Sequence, residues 1–295
     1  MLLAITTSVI DLLKKATASF SLIGGLCLLS VLLFTASPAS AQLQIAPTAI
    51  FMDEDNQTER VVVRNSASEP VVVEVEMLYG YPDTDEKGNV YLRRFESIPA
   101  DEPSAKDWVR VYPRFFELPP GEQQTIRFAA RPPSDLEQGE YWARPAIVAH
   151  LPGHHIASTD EDITAKLNMR RRTILSLNYR NGEVHTGINI DNLAAEFTEE
   201  DTISVTADLE RTGNAAYLGH YRLDLMNSSG YPAHSTRRKI AVYRDQNRSF
   251  HIDASEIPAG SYTIELELFT DRRRGEEEDI ISASTVVNTT RVEVP

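Results

Sequence analysis

The sequence predicts an all-β protein: two sandwich domains of short antiparallel strands, in tandem behind a signal peptide. Three observations predict it. Apolar and polar residues alternate with the period of two that a half-buried strand requires. Turn-forming residues interrupt the alternation roughly every ten residues, and no long segment carries a helical apolar stripe. The first 41 residues differ in composition from everything after them.

In that first segment, Lys14 and Lys15 precede an apolar run from Phe20 to Phe34, followed by Ala36-Ser-Pro-Ala-Ser-Ala41. A positive start, a short apolar centre and a small-residue ending describe a secretory signal peptide, cleaved between Ala41 and Gln42. The run is short of the ~20 residues that span a bilayer; the apolar segment before the lysines leaves an uncleaved anchor as the alternative, and no membrane insertion is expected once the signal is removed. Cleavage takes away Cys27, the one cysteine. The exported chain is then held by its apolar cores alone, without a disulfide.

Beyond residue 41, Val61-Val-Val63, Val71-Val-Val-Glu-Val-Glu-Met77, Thr125-Ile-Arg-Phe128, Ile203-Ser-Val-Thr-Ala207 and Tyr262-Thr-Ile-Glu-Leu-Glu-Leu-Phe269 read as strands. Asn65-Ser66, Lys87-Gly88-Asn89, Pro119-Pro-Gly121, Thr212-Gly-Asn214, Ser229-Gly230 and Pro258-Ala-Gly260 read as the turns between them. About eight strand-like segments precede Asn181-Gly182 and about seven follow, each set the size of one immunoglobulin-like domain. The expected domains are therefore 42–181 and 182–295. Ile163 to Tyr179 alternates throughout and reads as one strand of about 17 residues, against a usual five or six. A strand that long pairs along its whole length or leaves an edge open.

Composition excludes several functions. The chain has 295 residues, with 29 Lys and Arg against 43 Asp and Glu, a net charge of -14, which argues against nucleic acid as a partner. His150, His154 and His155 cluster around Leu151-Pro-Gly153; adjacent histidines on a strand point to opposite faces, so His154 and His155 share a metal only from a loop, and the group reads as an exposed turn. Asp83 to Asn89 begins like a calcium loop, but Lys87 stands where an oxygen ligand is needed and Arg94 where the bidentate acid belongs. The segment reads as a charged hairpin tip. No nucleophile elbow, phosphate loop or HExxH occurs. No catalytic residue, metal or cofactor is expected.

The segment from Val109 to Phe128 resembles the periplasmic pilus chaperones, the PapD-like family. Pro113, Phe115, Leu118, Pro120, Gly121, Gln124, Ile126 and Arg127 follow that family's pattern in order and spacing. Leu43 to Thr48 and Val61 to Asn65 resemble its first two strands, and Glu140 to Pro152 the strand before its long last one. The resemblance covers about residues 42–181. It implies two immunoglobulin-like sandwiches set as a boomerang. It also implies chaperone activity in the periplasm, toward exported pilin-like or surface-fibre subunits, by lending a strand to an incomplete client. The strand-lending face would carry Ile163, Ala165, Leu167 and Met169; alternatively, these side chains face their own core. The family binds the client's terminal carboxylate with a basic residue on the first strand and a lysine on the last. Those positions hold Ala49 and Ser176 here, and Arg170, Arg171 and Arg172 are the nearby cations that could serve instead. An acid–arginine–acid cluster ties the family's domains together, and Glu140, Arg180 and Asp271 fall at matching positions. The alternative function is a structural or adhesive tandem module at the cell surface that chaperones nothing. Charged residues at 167 and 169 would abolish client capture in the first case and lower thermal stability in the second.

Overall fold

Alternating sequences become sheet wherever one face finds a core, and the computed structural model shows this over residues 43–150, 154–157, 164–167, 169–270 and 279–295. The expected signal peptide lies outside the described residues, as does Ile163. Among the described residues there is no helix, and hence none long and apolar enough to cross a membrane.

Two sheets enclose the first core. One has the order β1 (Leu43–Ala46), β3 (Thr58–Asn65), β9 (Gln123–Ala130), β7 (Val109–Tyr112). The other runs β2 (Ala49–Met52), β14 (Ser176–Asn181), β10 (Gly139–His150), β4 (Val71–Leu78), β8 (Phe115–Leu118), with β13 (Arg170–Ile174) also on β10. The chain changes sheets between β1 and β2 and again between β7 and β8. Pro47 and Pro113 sit at these two crossings, where a residue without an N–H ends a ladder. Val61, Val63, Val73, Ile126, Phe128, Ile147 and Leu177 fill the space between the sheets.

A second core begins after the turn that follows β14. Three strands, β15 (Thr186–Phe197), β16 (Thr202–Gly213) and β19 (Gln246–Asp253), face four, in the order β18 (Pro232–Val242), β17 (Tyr217–Met226), β20 (Gly260–Phe269), β21 (Val286–Val294). Ile203, Val205, Leu223, Ile264 and Leu266 are buried between them. Both sheet pairs are sandwiches of the immunoglobulin-like kind, antiparallel throughout their named pairs except where β2 runs parallel to β14. Two further hairpins complete the strands among the described residues: β5 (Gly80–Thr84) with β6 (Val90–Arg94), and β11 (His154–Ala157) with β12 (Thr164–Leu167).

The long strand expected over residues 163–179 is instead three strands: β12, β13 and β14. The break at Leu175 has a simple cause. Leu175 lies opposite Pro145 and donates its N–H to the proline carbonyl at 2.8 Å. Pro145 has no N–H to return, so the ladder loses one bond there. The register is nevertheless kept, with Ile174 opposite Ala146 and Leu177 opposite Ala143.

Truncating Phe128 to Ala should cost about 3–5 kcal/mol through the cavity it leaves, seen as a lower urea midpoint. Tyr112→Ala, at a side chain 79% exposed, should stay within about 0.5 kcal/mol.

Candidate functional site

The even-numbered face of β10 points away from the first core, and it organises the region between the sandwiches. Glu140, Trp142 and Arg144 follow one another on this face, as the two-residue period of a strand dictates. All three are buried.

Glu140 is the hub. One carboxylate oxygen, Oε1, accepts from Trp142 Nε1 at 2.9 Å, Asn178 Nδ2 at 2.8 Å and the Ala216 main-chain N–H at 3.2 Å. The other, Oε2, accepts from Arg180 Nε at 3.1 Å. Arg180 also donates through Nη2 to the carbonyl of Asp279. Glu140 and Arg180 are thus in contact, while Asp271, the third residue expected there, lies outside the described residues. Ala216 immediately precedes β17, so the carboxylate binds groups from both sandwiches.

An aromatic cluster surrounds this hub. Trp142 meets Tyr243 edge-on at 4.7 Å and Tyr81 at 6.0 Å between ring centroids. Tyr79 and Tyr81 donate their hydroxyls to Glu102, which also receives Arg244 at 2.9 Å. Burial, reinforced by the Glu102 hydrogen bond, pushes the Tyr79 hydroxyl well above the ordinary tyrosine range. The β5–β6 hairpin brings in Tyr81, and its tip touches the second sandwich: Ser249 donates its N–H to Gly88 at 3.0 Å and its hydroxyl to Lys87 at 2.6 Å. Gly88 has φ 77° and its missing Cβ would stand 2.4 Å from Ser249 Oγ, so only glycine fits. The charged tip read from residues 83–89 is therefore also a docking element.

The strand-face residues distribute as follows. Ala165 and Leu167 lie on β12, opposite Ile156 and His154. Met169 precedes β13 and is 48% exposed. In β13, Arg172 pairs with Glu76 at 2.9 Å. Arg170 and Arg171 are exposed and have no ion pair among the described residues. Ala49 and Ser176 are direct register partners where β2 runs parallel to β14. The two positions meet, and neither carries charge.

One edge of β13 has no partner strand among the described residues. Leu175 turns its N–H toward β10, whereas Ser176 donates to Thr48 beside β2, at 3.0 Å. Alternation then directs the main-chain groups of Arg170, Arg172 and Ile174 toward the side where β13 has no partner among the described residues. β2 covers this edge only from Ser176 onward.

Sequence reasoning missed Trp142, Asn178, the aromatic cluster and Arg144. Arg144 had a visible signal: it is the one charged residue in Tyr141-Trp-Ala-Arg-Pro-Ala-Ile-Val-Ala149.

No family model matches the chain, and no curated protein matches it. Solved structures do. The chain is similar to the YadV chaperone, with 13% identity over 85% of this chain and 100% of that one, at a TM-score of 0.42. It is similar to the CsuC–CsuE chaperone–tip subunit complex of Acinetobacter baumannii, with 10% identity over 85% and 98%, at 0.40. It is also similar to the Salmonella enterica SafA pilin–SafB chaperone complex, with 13% identity over 86% and 99%, at 0.39.

Replacing Glu140 by Ala would strand Arg180 and three buried or part-buried donors. The loss should reach about 3–5 kcal/mol in urea unfolding, with a smaller loss for Glu140→Gln, which keeps an acceptor. Gly88→Ala should free the hairpin tip from Ser249, seen as faster hydrogen exchange at the Ser249 amide.

Proposed function

We infer that the chain is a non-enzymatic, exported chaperone or assembly factor that binds exported subunits by strand addition in the periplasm. The open edge of β13 carries this reading. Three outward pairs of main-chain groups offer hydrogen bonds to an extended partner, which supply affinity without dictating sequence. The resemblance of residues 109–128 to pilus chaperones supports the same reading. Met169 adds an exposed apolar side chain beside this edge, and Leu167 and Ala165 continue the alternation along β12. The two sandwiches, joined near Asn181-Gly182, then serve as a rigid mount for one strand.

A tandem adhesive module needs no open edge at this place, so the two functions separate by experiment. Proline at position 172 removes an outward N–H and leaves the ladder to β10 intact, whereas alanine removes only the ion pair to Glu76. Arg172→Pro should retain the fold by circular dichroism and lose co-purification with exported subunits from the native compartment. Arg172→Ala should retain both. Recovery of the wild-type protein only as a free monomer, with its cognate subunits present, would sink the chaperone reading.

A further inference from the structure

Between the sandwiches lies a cleft bounded by β2, the β13–β14 junction, β17 and β18, with Arg144 in its wall. It occupies one side of the first sandwich. The other side is the outward face of the sheet β1-β3-β9-β7. Alternation sends Val61, Val63, Ile126 and Phe128 into the core. It therefore turns Arg60, Arg64 and Arg127 outward, with Arg110 and Tyr112 beside them on β7. All five are exposed. No Asp or Glu stands at an outward position of these four strands, in a chain whose net charge is -14. The four arginines have no ion pair among the described residues.

This charge does nothing for the fold. Arg60 and Arg127 are direct register partners, and like charges set opposite each other destabilise a sheet. Tyr112 flanks Arg127 on its other side. Nor do Arg60 and Arg127 guard an edge, as the arginines of β13 can, because β3 and β9 are the inner strands of their sheet. The main chain of both strands is paired on either side, so no further strand can add there. An external anion is what remains to balance these cations.

The field is broad and level. Arg60 and Arg64 stand roughly 13 Å apart along β3, and about 10 Å separates β3 from β7 at ordinary strand spacings. Guanidinium forks suit phosphate oxygens. At one rim the chain crosses between sheets, and the aromatic residues flanking the crossing, Tyr112 and Phe115, are 79% and 67% exposed. Spread cations with an aromatic rim suit a bilayer surface, where the rings sit at headgroup level. A protein partner is typically held by an anchor in a desolvated pocket, whereas this face is an array of exposed, long side chains.

We propose that the outward face of β1-β3-β9-β7 adsorbs to a membrane surface rich in anionic phospholipid, without inserting. The proposal goes beyond strand addition and does not depend on it. The acidity of the chain then sets an orientation: an anionic bilayer repels the molecule as a whole and admits it by this face. β13 belongs to the opposite sheet, so adsorption leaves its unpaired edge uncovered.

The test is co-sedimentation of the full exported chain with vesicles of phosphatidylcholine, alone or mixed with phosphatidylglycerol. Binding should appear with the mixed vesicles, be nearly absent with phosphatidylcholine, and fall steeply as salt rises. Arg60→Gln with Arg127→Gln should weaken it at least about tenfold, whereas Arg60→Lys with Arg127→Lys keeps the charge and should retain it. Arg238→Gln with Arg291→Gln removes as much charge from exposed positions of the second sandwich and should leave binding unchanged. Tyr112→Ala should weaken binding severalfold with stability intact. Circular dichroism checks the fold of each variant. Equal losses from the two glutamine pairs would mean that net charge alone acts, and would overturn the assignment to this face. Equal binding to both vesicle types, or none at low salt, would overturn it too. Soluble polyglutamate bound through Arg60 and Arg127 in place of vesicles would give the face to an acidic polypeptide and overturn the lipid.

Discussion

A buried carboxylate is tolerated only where its charge and lone pairs are matched, and Glu140 meets that condition with four donors. Each donor fixes something different. Asn178 and Arg180 hold β14 against β10 from the side-chain level, reinforcing the main-chain ladder. Trp142 is held by its indole N–H, which sets the ring against Tyr243 and Tyr81. Ala216 commits the entry to β17 to the same point. Losing the carboxylate would therefore loosen register, aromatic packing and the seam between sandwiches at once. Such shared dependence is expected of a buried polar network whose members are all satisfied.

The same face of β10 carries consequences further along the strand. Two residues beyond Trp142, Arg144 is directed into the cleft by the simple fact of alternation. Pro145 then withholds a hydrogen bond from Leu175, and the chain changes from β13 to β14 at that place. β2 covers β14 and stops short of β13. Hub, buried cation and the proline behind the ladder lapse thus fall within six consecutive residues, Glu140 to Pro145, and the unpaired edge of β13 begins beside the last of them. A scaffold that must present an edge at a fixed place relative to a cleft gains from having both set by one strand.

How much of this was legible depended on whether the cause was local. Val61 to Val63 and Tyr262 to Phe269 announced β3 and β20, because alternation and burial are properties of the segment itself. About seven strand-like segments were expected after residue 182, and β15 through β21 are the strands described there. The break of the long strand was hidden, since its cause is a proline on another strand, thirty residues earlier in sequence. The contact of Glu140 with Arg180 became readable only through family resemblance, as forty residues separate them. The hairpin tip at Lys87-Gly88 looked like solvated charge because its partner, Ser249, belongs to the other sandwich. Arg144 stood out in an apolar run, yet its meaning required the cleft that distant strands enclose.

An open strand edge is a hazard as well as a tool, because a second copy of the chain can pair with it. Here the edge carries Arg170, Arg171 and Arg172 in succession. Two such edges brought together antiparallel would set arginine against arginine, which like-charge repulsion opposes. A partner strand without cations meets no such penalty, and one with acidic residues is favoured. The net negative charge of the remaining surface adds long-range repulsion between copies. Local positive charge on the edge and global negative charge elsewhere therefore act together: the first discriminates among strands at contact, the second keeps identical chains apart. An edge guarded in this way can stay exposed without pairing to copies of its own chain.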